Sequence, residues 1–189
     1  RDLARQLGCR VFPVHRLDRA TPGGLLFGSS SEVTSRLSGE FRDRRIHKEY
    51  LAVVRGWAPE RGRINRAIRC EESGELQDAV TEFERVAVAE FAVPIDHYPA
   101  TRISLVRVHP ETGRTHQIRR HLRGLNHPIL GDSQHGDGPI NRFAREHLGA
   151  KRLLLHASRL EFMHPTTGKA MTVLAPLPAQ LAPMFARLG

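Results

Sequence analysis

Apolar side chains recur every third or fourth position in two stretches of the chain, which is the spacing of one helical face. The first predicted helix is capped at Ser30 or Ser31 and runs to about Arg44. Its apolar face consists of Val33, Leu37 and Phe41. The second predicted helix runs from about Thr115 to Leu125 and is ended by an Asn-His-Pro sequence. Its apolar stripe consists of Ile118, Leu122 and Leu125.

Several more stretches are rich in valine, leucine and aromatic residues, which is typical of strands. The clearest is 47–57, in which Tyr50, Ala52 and Val54 alternate with Leu51 and Val53. Further strands are predicted at residues 25–28, 79–91, 101–109, 153–163 and 170–176. The pattern also predicts a long polar loop without core residues at 131–142 and a short helix at 178–188.

Strands outnumber helices, and several follow one another directly along the chain. This order predicts an α+β fold with a largely antiparallel mixed sheet, flanking helices and a central cleft. The 189 residues fit one domain spanning 1–189, and a hydrophobic content of 40% is enough for a packed core. Because the sequence does not begin with methionine, we expect it to start inside a longer protein.

Composition limits the compartment and the partners. No apolar run approaches the roughly 20 residues that cross a bilayer, so no membrane partner is expected. The two cysteines, Cys9 and Cys70, do not form a disulfide framework, so a reducing cytoplasm is the simplest compartment. We also expect a monomer. Eleven histidines suggest a metal site, but His116 and His121 are five residues apart and do not share a helix face. We therefore expect no metal.

The charge of the chain points to a polyanion. Lysine and arginine number 29 against 20 aspartate and glutamate residues, which gives a net charge of +9. Clustered arginines displace counterions from phosphates, so nucleic acid is the favoured partner. The alternative is a basic protein whose charges are only solvated.

The segment HRLDRATPGG, residues 15–24, is the most unusual in the chain. Its one carboxylate, Asp18, lies between Arg16 and Arg19, and nearby positive charge favours the ionised form of an acid. An ionised, well-positioned aspartate can act as a nucleophile or a general base. The alternative is an aspartate that pairs with its neighbours to fix a tight turn.

Four motifs together resemble those of the RluA-type pseudouridine synthases, and they occur in the order found in that family. They are HRLDRATPGG, HKEYLAVVRG, ETGRTHQIRRHL and RLLLHASRLEFMHPTTG. The resemblance covers almost the whole chain and implies the pseudouridine synthase fold and isomerisation of a uridine in structured RNA without a cofactor. Because the base is inaccessible inside a stem, the nucleotide has to be flipped into a pocket.

The resemblance also implies roles for individual residues. Asp18 is the catalytic carboxylate, Tyr50 stacks on the uracil, and Arg114 pairs with Asp18. Arg19 fills the gap left by the flipped base, and Leu155 packs under it. Substrate positioning or RNA contact is expected of Arg16, Thr21, His116, Gln117 and Arg120. For Tyr50 and Leu155 the alternative is core packing, and for Arg114 it is a phosphate contact.

Within the family, GDSQHGD and the residues after it most resemble the tRNA pseudouridine-65 synthases, so tRNA is the expected partner and ribosomal RNA the alternative. Two different functions also fit the basic charge and Asp18: a non-catalytic RNA-binding module, and a nuclease that uses Asp18 with a histidine. The chain departs from the family at Pro22, where serine is usual, and it lacks the N-terminal strand and lysine-proline motif that precede this region in the family.

Overall fold

The computed structural model describes residues 2–177 and has the elements of an α+β protein. The helices are α1 (Asp2–Leu7), α2 (Ser31–Arg42), α3 (Gln117–Gly124) and α4 (Gly138–Leu148). The strands are β1 (Phe12–Pro13), β2 (Phe27–Gly28), β3 (His47–Arg55), β4 (Arg61–Asn65), β5 (Ile68–Arg69), β6 (Leu76–Gln77), β7 (Val80–Phe91), β8 (Thr101–Pro110), β9 (Leu155–Met163) and β10 (Ala170–Leu174). None of the helices within this range is long and apolar enough to cross a membrane.

A six-stranded sheet organises the described chain, with the strand order β10-β9-β3-β8-β7-β4. Every pairing between these strands is antiparallel, which confirms the predicted fold class. In the central strand β3, Ala52, Val53 and Val54 are all fully buried. The alternation predicted for this strand therefore does not distinguish a solvent-exposed face from a buried one, because both faces of the sheet are covered at its centre.

The two predicted helices exist, with differences at their ends. Ser30 caps α2, its hydroxyl accepting a hydrogen bond from the amide of Val33 as predicted. Helix α3 begins two residues later than expected, and its cap is His116, which has a left-handed φ of 55° and no side-chain capping bond. Thr115, the expected start of this helix, therefore lies in the turn before it. Leu125, predicted to extend the apolar stripe, lies beyond the helix and is 38% exposed.

The prediction of a polar loop without core residues at 131–142 is also wrong. Helix α4 begins inside this region, where the Asp137 carboxylate caps it by accepting from the amide of Ile140. Pro139 occupies the first turn, where its missing N–H costs nothing. Ile140 is 1% exposed, so the region contributes to the core. A capping aspartate followed by Gly-Pro was the local signal for this helix.

Smaller differences concern the strands. Only Phe27–Gly28 of the predicted 25–28 strand pairs, and β1, β4, β5 and β6 were not predicted. The remaining predicted strands correspond to β7, β8, β9 and β10 within a few residues. The helix predicted at 178–188 lies outside the described residues.

The segment that carries Asp18 lies against β9 of the sheet. The amide of Gly24 donates to the carbonyl of Ala157, and the amide of Ala157 donates to the carbonyl of Pro22, at 3.0 and 2.9 Å. Between these bonds Gly23 has a φ of +134°, and a Cβ there would come within 2.2 Å of the Ala157 carbonyl oxygen. Only glycine allows this approach and this backbone conformation.

We expect Gly23→Ala to lower the free energy of unfolding by roughly 1 to 3 kcal/mol, because it forces a strained φ and separates the segment from β9. Gly24→Ala is the matched control, since a Cβ there meets Leu160 at 3.5 Å and Ala175 at 4.0 Å, which are ordinary van der Waals distances. Denaturant unfolding of both variants measures the difference. Equal destabilisation by the two substitutions would contradict the close packing of Gly23 on Ala157.

Candidate active site

Beside the Asp18 segment the structure has an open cleft of about 470 Å³, a size typical of small-ligand sites. Its wall is formed by this segment, the end of α2, strand β3, the turn after β8 and the start of α3. Most of the predicted site residues line it: Arg16, Asp18, Thr21, Tyr50, Arg114, His116, Gln117 and Leu155. Arg19 and Arg120, which are both among residues 2–177, do not line this cleft.

The ion pair expected between Arg114 and Asp18 is not formed, and Arg119 takes the place of Arg114. Nη1 of Arg119 lies 3.3 Å from Oδ2 of Asp18, across 101 residues of sequence. Arg114 instead donates from Nε to the backbone carbonyl of Asp78 at 3.0 Å. The difference arises because Arg119 lies on α3 itself, whereas Arg114 belongs to the turn before the helix and points to another segment.

Arg119 is held by a buried carboxylate that the sequence analysis missed. Its Nε and Nη2 donate to the two carboxylate oxygens of Asp132 at 2.7 and 2.8 Å, a bidentate pair. Nη2 also donates to Oε1 of Gln134 at 3.0 Å. The side chain of Asp132 is completely buried and that of Arg119 is 5% exposed. Nε and Nη2 are therefore occupied, and Nη1 is the guanidinium nitrogen directed at Asp18.

Asp132 remains ionised despite its burial. Burial alone would raise the pKa of its carboxyl, but hydrogen bonds from Arg119 and from the backbone amides of His135 and Gln134 lower that pKa below its ordinary value. Hydrogen bonds to Asp132 and Asp18 raise the pKa of Arg119, which stays a cation. The pair thus has a fixed orientation, in which the positively charged guanidinium of Arg119 faces the cleft.

His116 also lies near Asp18, and its ring contacts a second histidine, His135. Nε2 of His116 is 4.0 Å from Oδ1 of Asp18, and Nδ1 of His116 is 3.0 Å from Nε2 of His135. The left-handed conformation of His116 at the start of α3 directs its ring into the cleft. Burial and the nearby Arg119 lower the pKa of His135, which favours its neutral form. His135 was not predicted as a site residue.

Tyr50 faces Asp18 from the central strand. Burial, and to a lesser degree the Asp18 charge, raise the pKa of its phenol to about 12. The phenol therefore stays protonated at neutral pH and does not supply an anionic base. Its ring and the buried side chain of Leu155 give the cleft an apolar part beside the carboxylate.

Three further side chains shape the cleft. His15 accepts a hydrogen bond at Nε2 from the amide of Leu26, and burial lowers its pKa to about 4, so it is neutral at physiological pH. Lys48 donates to the carbonyl of Thr112, and burial lowers its pKa to about 8. The Gln117 amide is fully used by protein partners, namely Thr112, Arg114, Val80 and Thr81. Gln117 therefore fixes the turn before α3, which corrects its expected role in substrate binding.

Comparisons with known proteins agree with this geometry. A family model described as RNA pseudouridylate synthase matches residues 2–123. The chain is 48% identical over 183 residues to tRNA pseudouridine synthase C of Salmonella typhi, covering 91% of this chain and 70% of that protein. It is 42% identical over 195 residues to tRNA pseudouridine synthase C of Vibrio vulnificus, covering 98% of this chain and 80% of that protein.

Solved structures give the same result. Human RNA pseudouridylate synthase domain containing 1 superposes with a TM-score of 0.75 at 26% identity, covering 95% of this chain and 74% of the human one. Human RNA pseudouridylate synthase domain containing 4 shares the fold, with a TM-score of 0.76 at 24% identity over 99% and 80% of the two chains. With its four motifs in order, its antiparallel sheet and its Asp18 cleft, the chain belongs to the RNA pseudouridylate synthase family and is an isomerase that forms pseudouridine in RNA.

Proposed function

We propose that this enzyme acts on a uridine of folded tRNA and that Asp18 is the carboxylate that carries out the isomerisation. The observation that most directly supports Asp18 is its contact with Arg119 on the wall of the cleft. tRNA is supported by the relatives from Salmonella and Vibrio, which are named tRNA pseudouridine synthase C. The 131–142 region resembles the tRNA pseudouridine-65 synthases, which favours position 65 of tRNA as the modified uridine.

The reaction needs a carboxylate and no exchange of atoms with a cofactor. The bond from the ribose C1′ to uracil N1 breaks, the uracil turns, and a bond from C1′ to C5 forms. C5 loses a proton and N1 gains one, so substrate and product are isomers. Asp18 acts either as a nucleophile on the sugar or base, or as a base that removes a sugar proton. In both cases it must be ionised, and the Arg119 cation stabilises that form.

The cleft suits a flipped nucleotide. Flipping costs a few kcal/mol, which stacking and hydrogen bonds in the pocket have to offset. Tyr50 is the stacking partner of the uracil, and its raised pKa keeps the ring neutral against an uncharged base. Leu155, buried at the base of the cleft wall, packs beneath it.

Thr21 is the hydrogen-bonding contact of the substrate. Its hydroxyl is buried, lies on the cleft wall and has no hydrogen-bond partner among residues 2–177. A buried unpaired hydroxyl costs roughly 1 to 3 kcal/mol, so a polar group of the bound nucleotide regains that free energy. The backbone amide of Thr21 donates to the carbonyl of Asp18, which places this hydroxyl next to the reacting groups.

Basic side chains outside the chemistry bind the RNA backbone. Arg16 is exposed on the cleft wall, and Arg19 is exposed next to Asp18, where it fills the space that the base leaves. Arg120 lies one residue beyond Arg119 on α3 and contacts a phosphate. His116, 4.0 Å from Asp18, orients the carboxylate. We infer a monomer with one catalytic domain over 1–189, acting in the cytoplasm, where its two free cysteines stay reduced.

We expect Asp18→Asn to lower the rate of pseudouridine formation by at least about 10²- to 10⁴-fold, because the amide cannot act as a nucleophile or base. Affinity for tRNA should stay nearly unchanged. The measurement is mapping of pseudouridine after incubation of each protein with unmodified tRNA and, separately, with ribosomal RNA.

Modification of ribosomal RNA alone would contradict tRNA as the substrate, and substantial turnover by the variant would remove Asp18 from the mechanism. RNA cleavage would favour a nuclease, and binding without any modification would favour a non-catalytic RNA-binding module.

Arg119→Lys should lower kcat by about 10²-fold, because lysine cannot bind Asp132 in a bidentate manner and still reach Asp18. Arg114→Lys is the matched control and should change kcat little, since the Arg114 guanidinium contacts the carbonyl of Asp78 and not Asp18. Thermal unfolding of both variants separates a loss of positioning from a loss of fold. A larger kcat defect in Arg114→Lys than in Arg119→Lys would restore the pairing that the sequence suggested.

Thr21→Val should lower kcat/KM about 3- to 10-fold while leaving the free energy of unfolding unchanged or slightly raised, because it removes a hydroxyl that is unsatisfied in the free protein. Thr21→Ser keeps the hydroxyl and should retain most of the activity. If Thr21→Ser loses activity while Thr21→Val retains it, the methyl group and not the hydroxyl contacts the nucleotide.

A further inference from the structure

A second cavity, of about 700 Å³, lies beyond the last turn of α3. Its wall is formed by the turn after β3, the connection between β7 and β8, and the start of α4. Residues on this wall include Trp57, Tyr98, Arg102 and Arg123. Asp18, Tyr50 and Arg119 belong to the other cleft, and the mechanism proposed above makes no use of this cavity.

The wall exposes two large aromatic rings. Trp57 is 47% exposed and Tyr98 is 50% exposed. Trp57 is the one tryptophan of the sequence, and Tyr98 is one of its two tyrosines. The guanidinium of Arg102 stacks on the Trp57 ring at 4.2 Å from its centroid. Exposed aromatic rings next to arginine planes are the surfaces on which unpaired bases of RNA stack.

The charge of this wall matches a polyanion. Three arginines line the cavity, Arg55, Arg102 and Arg123, against one acidic residue, Asp137, which is already paired with Arg55 at 2.7 Å. Arg102 is paired with a glutamate, but Arg123 donates only to the carbonyl of Gly136 and has no ion pair within residues 2–177. One uncompensated cation beside two aromatic rings suits a nucleotide, with its base on a ring and its phosphate on the arginine.

The cavity is connected to the catalytic cleft by two elements. Helix α3 carries Arg119 at the cleft and Arg123 at the cavity, an advance of about 6 Å along its axis. The second element is the segment 132–137, which precedes α4. Its first residue, Asp132, forms the ion pair with Arg119, and its last residue, Asp137, lies on the cavity wall. From Tyr50 at the cleft to Trp57 at the cavity the chain runs along β3 and just past its end, roughly 20 Å at about 3.3 Å per residue. An RNA molecule bound at Asp18 therefore has to extend well beyond the flipped uridine to reach Trp57.

We propose that this cavity is a second RNA-binding site, which takes an unpaired base of the same RNA molecule that places its uridine at Asp18. The base stacks on Trp57 or Tyr98, and Arg123 contacts the neighbouring phosphate. This inference deepens the proposed function and rests on it, because it assigns a part of substrate recognition to a region remote from the chemistry. It makes the site a determinant of which RNA is modified and leaves the chemical step to Asp18.

Trp57 provides a direct test, since the intrinsic tryptophan fluorescence of the protein comes from this one residue. Titration with unmodified tRNA should quench it, and the quenching should saturate at the concentration at which filter binding saturates. N-acetyltryptophanamide in the same titration corrects for light absorbed by the RNA. A fluorescence change of Trp57 with acidic peptides but not with RNA would assign the cavity to a protein partner and overturn the proposal.

Kinetics provide the second test. Trp57→Ala should raise KM for whole tRNA by roughly 5- to 100-fold without lowering kcat, and Trp57→Phe should restore most of the affinity because it still stacks. Arg123→Gln should reduce the slope of log Kd against log salt by about one. Val88→Ala, an exposed site on β7 away from the cavity, is the control and should leave KM unchanged. For the shortest stem-loop that is still modified, Trp57→Ala should have no effect.

The outcomes distinguish this proposal from the function on which it rests. Normal turnover of tRNA with unchanged Trp57 fluorescence and an unchanged KM in Trp57→Ala overturns the second site and leaves the proposed function intact. Absence of pseudouridine in tRNA overturns the proposed function, and the cavity is then judged by the titration with whichever RNA binds. A fall in kcat alone in Trp57→Ala, with the short stem-loop equally affected, also overturns the second site.

Discussion

The buried ion pair between Arg119 and Asp132 is the interaction on which the geometry around Asp18 depends. Removing a carboxylate and a guanidinium from water costs several kcal/mol for each ion, and the cost is offset only by good geometry and further hydrogen bonds. Here the pairing is bidentate, and two backbone amides donate to the same carboxylate. The result is a guanidinium with one fixed orientation, which presents Nη1 to Asp18 at 3.3 Å.

Asp18 itself is fixed from the opposite side. Its segment is hydrogen-bonded to β9 through residues 22–24, and the absence of a side chain at Gly23 allows the two backbones to touch. Strand β9 pairs with β3, whose centre is buried on both faces and cannot shift without opening the core. The carboxylate therefore lies between the sheet and helix α3, and its contact with the sheet depends on Gly23 of its own segment.

The sequence was sufficient for features that depend on local patterns. The antiparallel sheet followed from runs of strand residues, and the Asp18 cleft followed from the resemblance of a compact motif to a known family. The partner of Asp18 could not be chosen in the same way. Arg114 and Arg119 belong to one motif, and which of them faces Asp18 depends on the start of α3 and on Asp132, a carboxylate 13 residues further along the chain. Helix α4 was missed because Gly-Pro suggests a loop, although the same residues fit the first turn after a capping aspartate.

The charges of the cleft are divided between two tasks. Arg119 is committed to carboxylates inside the protein and is not available to the RNA backbone, whereas Arg114 uses only its Nε, for the carbonyl of Asp78. Arg16, Arg42 and Arg44 line the same cleft, are exposed and form no ion pair within the described chain. Because arginine keeps its charge at any physiological pH, this rim attracts phosphates whatever the protonation of the groups beneath it. The proposed function thereby separates binding from chemistry: the rim binds the RNA backbone whatever its sequence, and discrimination depends on contacts that require a base to leave its stack.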